Sequence, residues 1–201
     1  MQDIAFPSDY TPPVSSSDNY LRFAQEWKYY FRILSSPLIG FEYWSKSPSD
    51  DKAKPIRSAH KIADKDLIHP EVKNGKTSYA KEFYAFKVFA YDTPARDTGK
   101  IKILSTTTKS IKDDIRYFMQ NGDFPKADKY DIVIERSGSG LTTKYQVTRL
   151  DSSDQSAQLQ EANAKTKVNL EALLVNWDPF DIGMDPVFQE SRVSIADVPF
   201  A

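Results

Sequence analysis

The sequence predicts a mainly β fold, and three observations carry that expectation. Short runs of β-branched and aromatic residues recur from Lys28 to Arg149, each bounded by Ser, Pro, Asn or Gly. Within that span, helical periodicity is confined to residues 109–121. The 201-residue chain carries 12 Phe, 11 Tyr and 3 Trp, which sets it apart from disordered chains, and its 7 Gly exclude glycine-rich repeats.

Residues 1–19 hold Pro7, Pro12, Pro13 and a serine run, and are expected as an extended N-terminal arm. Lys28 to Leu34 and Ile39 to Trp44 read as two strands separated by Ser35-Ser36-Pro37. Lys54 to Ser58 reads as an edge strand, because Pro55 cannot donate to a central ladder. Residues 60–80 are polar and of mixed charge, and are expected as an inserted loop region with at most one helical turn. Glu82 to Tyr91 is the strongest strand. Tyr84, Phe86, Val88 and Ala90 lie on one face, and Phe83, Ala85, Lys87, Phe89 and Tyr91 on the other. Lys100 to Leu104 is the next strand. Thr107 or Thr108 can cap a helix over 109–121, closed by Asn121-Gly122, with Ile111, Ile115, Phe118 and Met119 on one face. Tyr130 to Arg136 and Thr143 to Arg149 complete the strands around the loop Ser137-Gly138-Ser139-Gly140. Residues 151–164 read as a linker, Val168 to Trp177 as a short amphipathic helix, and 178–201 as a disordered acidic tail.

Strands, one helix, then two strands match an OB-fold, a five-stranded Greek-key barrel, with a β-rich sandwich as the alternative. The expected organisation is an arm over 1–19, a barrel domain over 20–150, and a linker and tail over 151–201.

Several chemistries are excluded. The absence of cysteine removes disulfides, thiolate metal sites and cysteine nucleophiles. His60 and His69 stand in a polar stretch without an acid cluster, so no metal is expected. There is no phosphate-binding glycine loop, dinucleotide motif or nucleophile elbow, so neither a cofactor nor an enzyme is expected. No apolar run approaches the ~18 residues of a membrane span, and Met1-Gln2-Asp3-Ile4 lacks the start of a signal peptide. The expected setting is therefore the cytoplasm, without membrane contact.

The formal net charge of −1 hides a division along the chain. Residues 31–150 carry 22 Lys+Arg against 15 Asp+Glu, a net +7, while residues 151–201 net −6. A basic centre with an acidic end suits a polyanion-binding domain followed by a separate tail.

Aromatic and basic residues interleave on the strands. A barrel has one interior, so a strand apolar on both faces must place one set elsewhere. Exposed aromatics beside cations suit single-stranded nucleic acid, because every base has a π-face and cations follow the phosphates. The candidate nucleic-acid residues are Tyr30, Arg32, Tyr43 and Trp44 on the first two strands and Arg57 on the edge strand. Phe83, Lys87 and Phe89 on the two-faced strand, with Lys102 and Lys144 on later strands, complete the set. Core packing is the alternative for any one aromatic. The group as a whole points to binding, since its cations would otherwise be buried unpaired. The rival function is a protein-interaction or virion-associated β-domain.

Tyr20-Leu21-Arg22-Phe23, Phe31 to Trp44, Phe83 to Val88, Lys102-Ile103-Leu104 with Lys109-Ser110-Ile111, and Tyr130 to Gly138 together resemble a family of bacteriophage single-stranded-DNA-binding proteins with an OB-fold. The resemblance spans residues 20–149. It implies sequence-nonspecific binding of single-stranded DNA in phage replication, recombination and repair, inside the bacterial host cytoplasm, without covalent chemistry. It also implies that the strands of Arg32, Trp44, Lys87 and Phe89 bear on the DNA groove. Duplex DNA and RNA stay open as partners, since phosphate-tracking cations serve all of them.

Asp197-Val198-Pro199-Phe200 is similar to the acidic Asp-Ile-Pro-Phe tip by which bacterial single-stranded-DNA-binding proteins recruit replication proteins. The resemblance implies partner binding through these four residues. Two departures are that Ala201 follows Phe200 and that Asp197 is the sole acid in the last ten residues.

Overall fold

The computed structural model describes residues 16–24, 26–49 and 52–181. The outer parts of the expected arm and tail, including Asp197, Val198, Pro199 and Phe200, lie outside the described residues.

The strands are β1 (Trp27–Ile33), β2 (Leu38–Ser45), β3 (Lys54–Ser58), β4 (Val72–Lys73), β5 (Lys76–Thr77), β6 (Lys81–Tyr91), β7 (Gly99–Thr106), β8 (Tyr130–Ser137) and β9 (Lys144–Ser152). The helices are α1 (Lys109–Gln120) and α2 (Ala157–Lys165), and a 3-10 helix spans Leu170–Val175. Among the described residues, all strands except β4 and β5 form one antiparallel sheet ordered β3-β2-β6-β1-β8-β9, with β7 on the other side of β6. The eleven residues of β6 organise it. Its first half pairs with β2 (Leu38 opposite Ala85), its second half with β1 (Phe31 opposite Ala90), and nearly its whole length with β7. β3 lies at the edge beside β2, as Pro55 requires.

The mainly β expectation holds, but closure into a barrel is not made: among the described residues no ladder joins β7 to β9. The outer edge of β7 is occupied by the incoming chain instead. Tyr20 bridges Ile103 in parallel, and the Leu21 N–H donates to the Ile103 carbonyl at 2.9 Å. The Phe23 ring then packs against Tyr29 at 5.0 Å and against Tyr145 of β9 at 5.9 Å.

Both faces of β6 are buried, and each has its own cover. On one face Tyr84, Phe86 and Val88 join Phe31, Ile33, Leu104, Ile132 and Ile134, under Ile111 and Ile115 of α1. Phe118 and Met119 border this core, so the expected helix stripe faces it. Thr108 holds the N-cap position without a side-chain cap, and Asn121 ends the helix at φ −74°, with no left-handed residue needed. On the opposite face Phe83, Ala85 and Ile103 pack under Leu173, and Phe89 and Ile101 under Leu159, with Val168 and Phe180 bordering both clusters. Residues 151–164 are therefore not a linker. They complete β9 and form α2, a helix not among the expected elements, while the helix expected over Val168 to Trp177 is a 3-10 helix over Leu170–Val175. The Ser/Gln/Ala-rich composition hides this, because a single large apolar residue, Leu159, anchors the helix.

The inserted region 60–80 forms a 3-10 turn at Asp64–Asp66 and the β4–β5 hairpin. Asn74 (φ 52°) and Gly75 (φ 70°) supply the two positive-φ positions of a tight hairpin turn. The insertion folds back on β2, with the Glu71 N–H donating to the Trp44 carbonyl and the Lys46 N–H to that of His69, both at 2.8 Å.

A charged cluster ties these layers together. Arg32 (1% exposed) donates from Nε to Oδ1 of Asp131 (2% exposed) at 2.6 Å. Its remaining nitrogens reach the Ser153 carbonyl at 3.0 Å and Ser153 Oγ at 2.5 Å. Arg96 reaches Asp131 Oδ2 at 2.7 Å, and the Tyr91 hydroxyl donates to Oδ1 at 3.0 Å.

Two stability outcomes are expected from urea midpoints. Asp131→Ala strands the Arg32 charge in the interior and costs about 3–5 kcal/mol, whereas Arg96→Ala, at a partly exposed position, costs about 0–1 kcal/mol. Leu159→Ala costs about 2–5 kcal/mol, as for a core residue; a change within about 0.5 kcal/mol would return residues 157–165 to the status of a linker.

Candidate nucleic-acid interface

The sequence-derived set does not come together in one place. Phe83 and Phe89 are fully buried beneath the 3-10 helix and α2, so neither ring can receive a base. Arg32 is consumed by Asp131 and Ser153. Tyr43 is buried, its hydroxyl accepting from the Ile68 N–H at 3.1 Å. Lys87 donates from Nζ to the carbonyls of Thr166 at 2.7 Å and Asn163 at 3.2 Å. Those carbonyls close the C-terminal end of α2, where a cation is favoured by the helix dipole, so Lys87 holds the cover on the sheet. Arg57 pairs with Glu42 at 2.8 Å and lies over the Phe83 ring. These six are corrected from nucleic-acid contacts to structural roles: Phe83, Lys87 and Phe89 because their face of β6 is covered, and Arg32, Tyr43 and Arg57 because each is held by interior or ion-pair partners. Trp44 is 45% exposed at the far end of β2, and Lys144 is exposed at the start of β9.

Tyr30 and Lys102 do meet. β1 pairs with β6 only over Phe31–Ile33; before Phe31 it follows β8 and leaves β6. The parting strands open a notch of about 450 Å³, flanked by the incoming segment 18–22. Tyr20, Trp27, Tyr29, Tyr30 and Tyr91 line it, with Arg22, Lys28 and Lys102 as cations and Asp18 and Asp92 as acids. Ala90 is the smallest side chain of the lining, and Trp27 is largely exposed. Lys28 makes a solvent-exposed ion pair with Glu135 at 3.3 Å, a weak contact that a phosphate can replace. Burial lowers the Lys102 ammonium below its usual range, and Lys100 nearby adds to that. An anion in the notch would relieve both.

Sequence reasoning missed Tyr20, Arg22, Trp27, Lys28, Tyr29 and Tyr91 as site residues. The Lys28-Tyr29-Tyr30 run and the end of the two-faced strand were available signals, but where two strands part has no signature in periodicity. Among the described residues no group of His, Asp and Glu could hold a metal ion, and no helix is long and apolar enough to cross a membrane.

Tyr91 marks the rear of the notch electrostatically. Burial first, and then the Asp131 carboxylate beside it, push its phenol from 10.0 up to about 12. A folded-state value above the unfolded one favours the folded protein below the unfolded value and is lost as pH rises through the folded value. Stability therefore declines between pH 10.0 and about 12, with a late tyrosinate transition in absorbance. Tyr91→Phe removes that late transition and flattens the decline.

Comparison with protein-family models, curated proteins and solved structures gave no match.

Proposed function

We propose that the chain binds single-stranded DNA without sequence specificity, through the notch between β1 and β6. The observation that carries this reading is that five aromatic residues and three cations line the opening where two strands part. Aromatic faces stack bases of any identity, at about 1–3 kcal/mol per base, while Arg22, Lys28 and Lys102 answer phosphates. No covalent step is involved. The resemblance of residues 20–149 to phage single-stranded-DNA-binding proteins supports a setting in phage DNA replication, recombination and repair. The separate likeness of Asp197 to Phe200 to the acidic tip of bacterial single-stranded-DNA-binding proteins supports partner recruitment by those residues.

The fold reading goes with it. The path β7-β6-β1-β8-β9, with α1 between β7 and β8, supports an OB-type barrel left open between its third and fifth strands. OB-folds commonly bind ligands on the face of strands two and three. Here that face, on β6 and β7, lies under Leu159 and Leu173, which is why the notch takes the role.

A titration with oligothymidylate, read by tryptophan fluorescence, tests the proposal. Tyr30→Ala and Trp27→Ala are each expected to weaken binding by about 1–3 kcal/mol, roughly tenfold or more. Lys28→Ala is expected to lower the slope of log affinity against log salt by about 0.7. Duplex DNA is expected to compete poorly, because its paired bases are not free to stack on the rings. Absence of binding at micromolar protein, or equal affinity of the Tyr30 and Trp27 variants, would sink the proposal.

A further inference from the structure

A second surface lies at the opposite end of β6 from the notch. Lys81 begins the strand and Tyr91 ends it, about 33 Å apart along ten residue steps. Here the inserted region folds against β2, held by the Trp44 carbonyl to the Glu71 N–H and by the Trp44 N–H to Ser78 Oγ at 2.9 Å. These contacts gather large apolar side chains that are well exposed: Trp44 at 45%, Tyr79 at 56%, Val72 at 65% and Ile68 at 68%. Isolated exposed apolar residues are ordinary, but four on one small insertion and its supporting strand mark an interaction surface.

We infer that this surface docks an acidic peptide segment of another protein, one carrying bulky apolar side chains between its carboxylates. Charge complementarity selects that occupant. Lys73 and Lys76 flank the turn of the β4–β5 hairpin, and Lys81 lies over the Tyr79 ring at 4.8 Å. None of these three lysines makes an ion pair among the described residues. Of the cations lining the cleft of about 730 Å³ between Tyr79 and α1, Lys81 is the one without an ion pair among the described residues. Its Lys112 is paired with Glu82 at 2.7 Å, and its Arg116 and Lys109 with Asp113. Ile68 and Val72 have no π-face for a base. A peptide supplies both what the apolar side chains need and a few carboxylates for the free lysines.

The surface is also separate from the notch. Between them lies the cover over β6 and β7, and residues 153–181 carry Asp154, Glu161, Glu171, Asp178 and Asp181 against Lys165 and Lys167. A nucleic-acid strand leaving the notch would meet acidic ground before reaching Trp44. The inference therefore stands independently of the nucleic-acid reading.

The test uses the full chain and a fluorescein-labelled peptide that alternates glutamate with phenylalanine and leucine, with a lysine-for-glutamate peptide as control. The acidic peptide is expected to bind below about 1 mM and to weaken with salt. The double variant Val72→Asp with Lys76→Glu, both on an exposed hairpin, is expected to lose at least about tenfold in affinity, equivalent to 1.4 kcal/mol. Tyr30→Ala is expected to leave peptide binding unchanged, and saturating oligothymidylate to leave the peptide in place. The inference is overturned if the acidic peptide fails to bind at about 1 mM or binds no better than the lysine peptide. It is equally overturned if the hairpin variant binds as the parent does, or if oligothymidylate displaces the peptide, which would make this surface part of the nucleic-acid path.

Discussion

The structure depends on β6 being apolar on both of its faces. A strand with Tyr84, Phe86 and Val88 on one side and Phe83, Ala85 and Phe89 on the other cannot face water on either. One core alone cannot satisfy it, so the chain supplies two covers. α1 crosses one face, and the C-terminal segment 157–180 returns across the other. Burial of those rings, at roughly 1.5–3 kcal/mol each, helps offset the cost of ordering a polar, low-apolar segment such as α2. Lys87, the charge in the middle of that face of β6, finds its partners in carbonyls at the end of α2 and so joins strand to cover.

The Arg32–Asp131 pair does a second job. It joins β1 to β8 in the interior, and it takes in Tyr91 from β6, Arg96 from the β6–β7 turn and Ser153 from the start of the cover. Arg96 adopts φ 60°, a left-handed backbone unusual for a side-chain-bearing residue, while reaching this carboxylate. Buried ion pairs contribute little net stability against apolar replacements but penalise any arrangement that leaves one partner alone. The cluster therefore selects the geometry in which β1 leaves β6 just before Phe31, which is the geometry that opens the notch.

Surface chemistry then follows from what is covered. With the β6–β7 face buried, aromatic and cationic residues are left at the two ends of β6. One end is rich in tyrosine and tryptophan with three cations. The other mixes aliphatic and aromatic side chains with free lysines around an insertion. Acidic residues of the cover stand between them, so the basic centre and acidic C-terminal part of the charge count act as neighbours in space.

Much of this was legible in residue order. Pro55 placed β3 at an edge, Ile111, Ile115, Phe118 and Met119 aimed α1 at the core, and the alternation from Glu82 to Tyr91 showed that one strand is apolar on both faces. Local periodicity and turn chemistry determine such features because they depend on neighbours along the chain. The tertiary structure alone decided that the second face of β6 is covered by residues 157–180 rather than by a ligand. It also turned Arg32, Lys87 and Phe89 into interior contacts, and brought Tyr20, Trp27, Tyr30, Tyr91 and Lys102 around one notch. Those outcomes rest on which distant segments share a face and where paired strands separate, and pairing between distant segments leaves no periodic trace in either one.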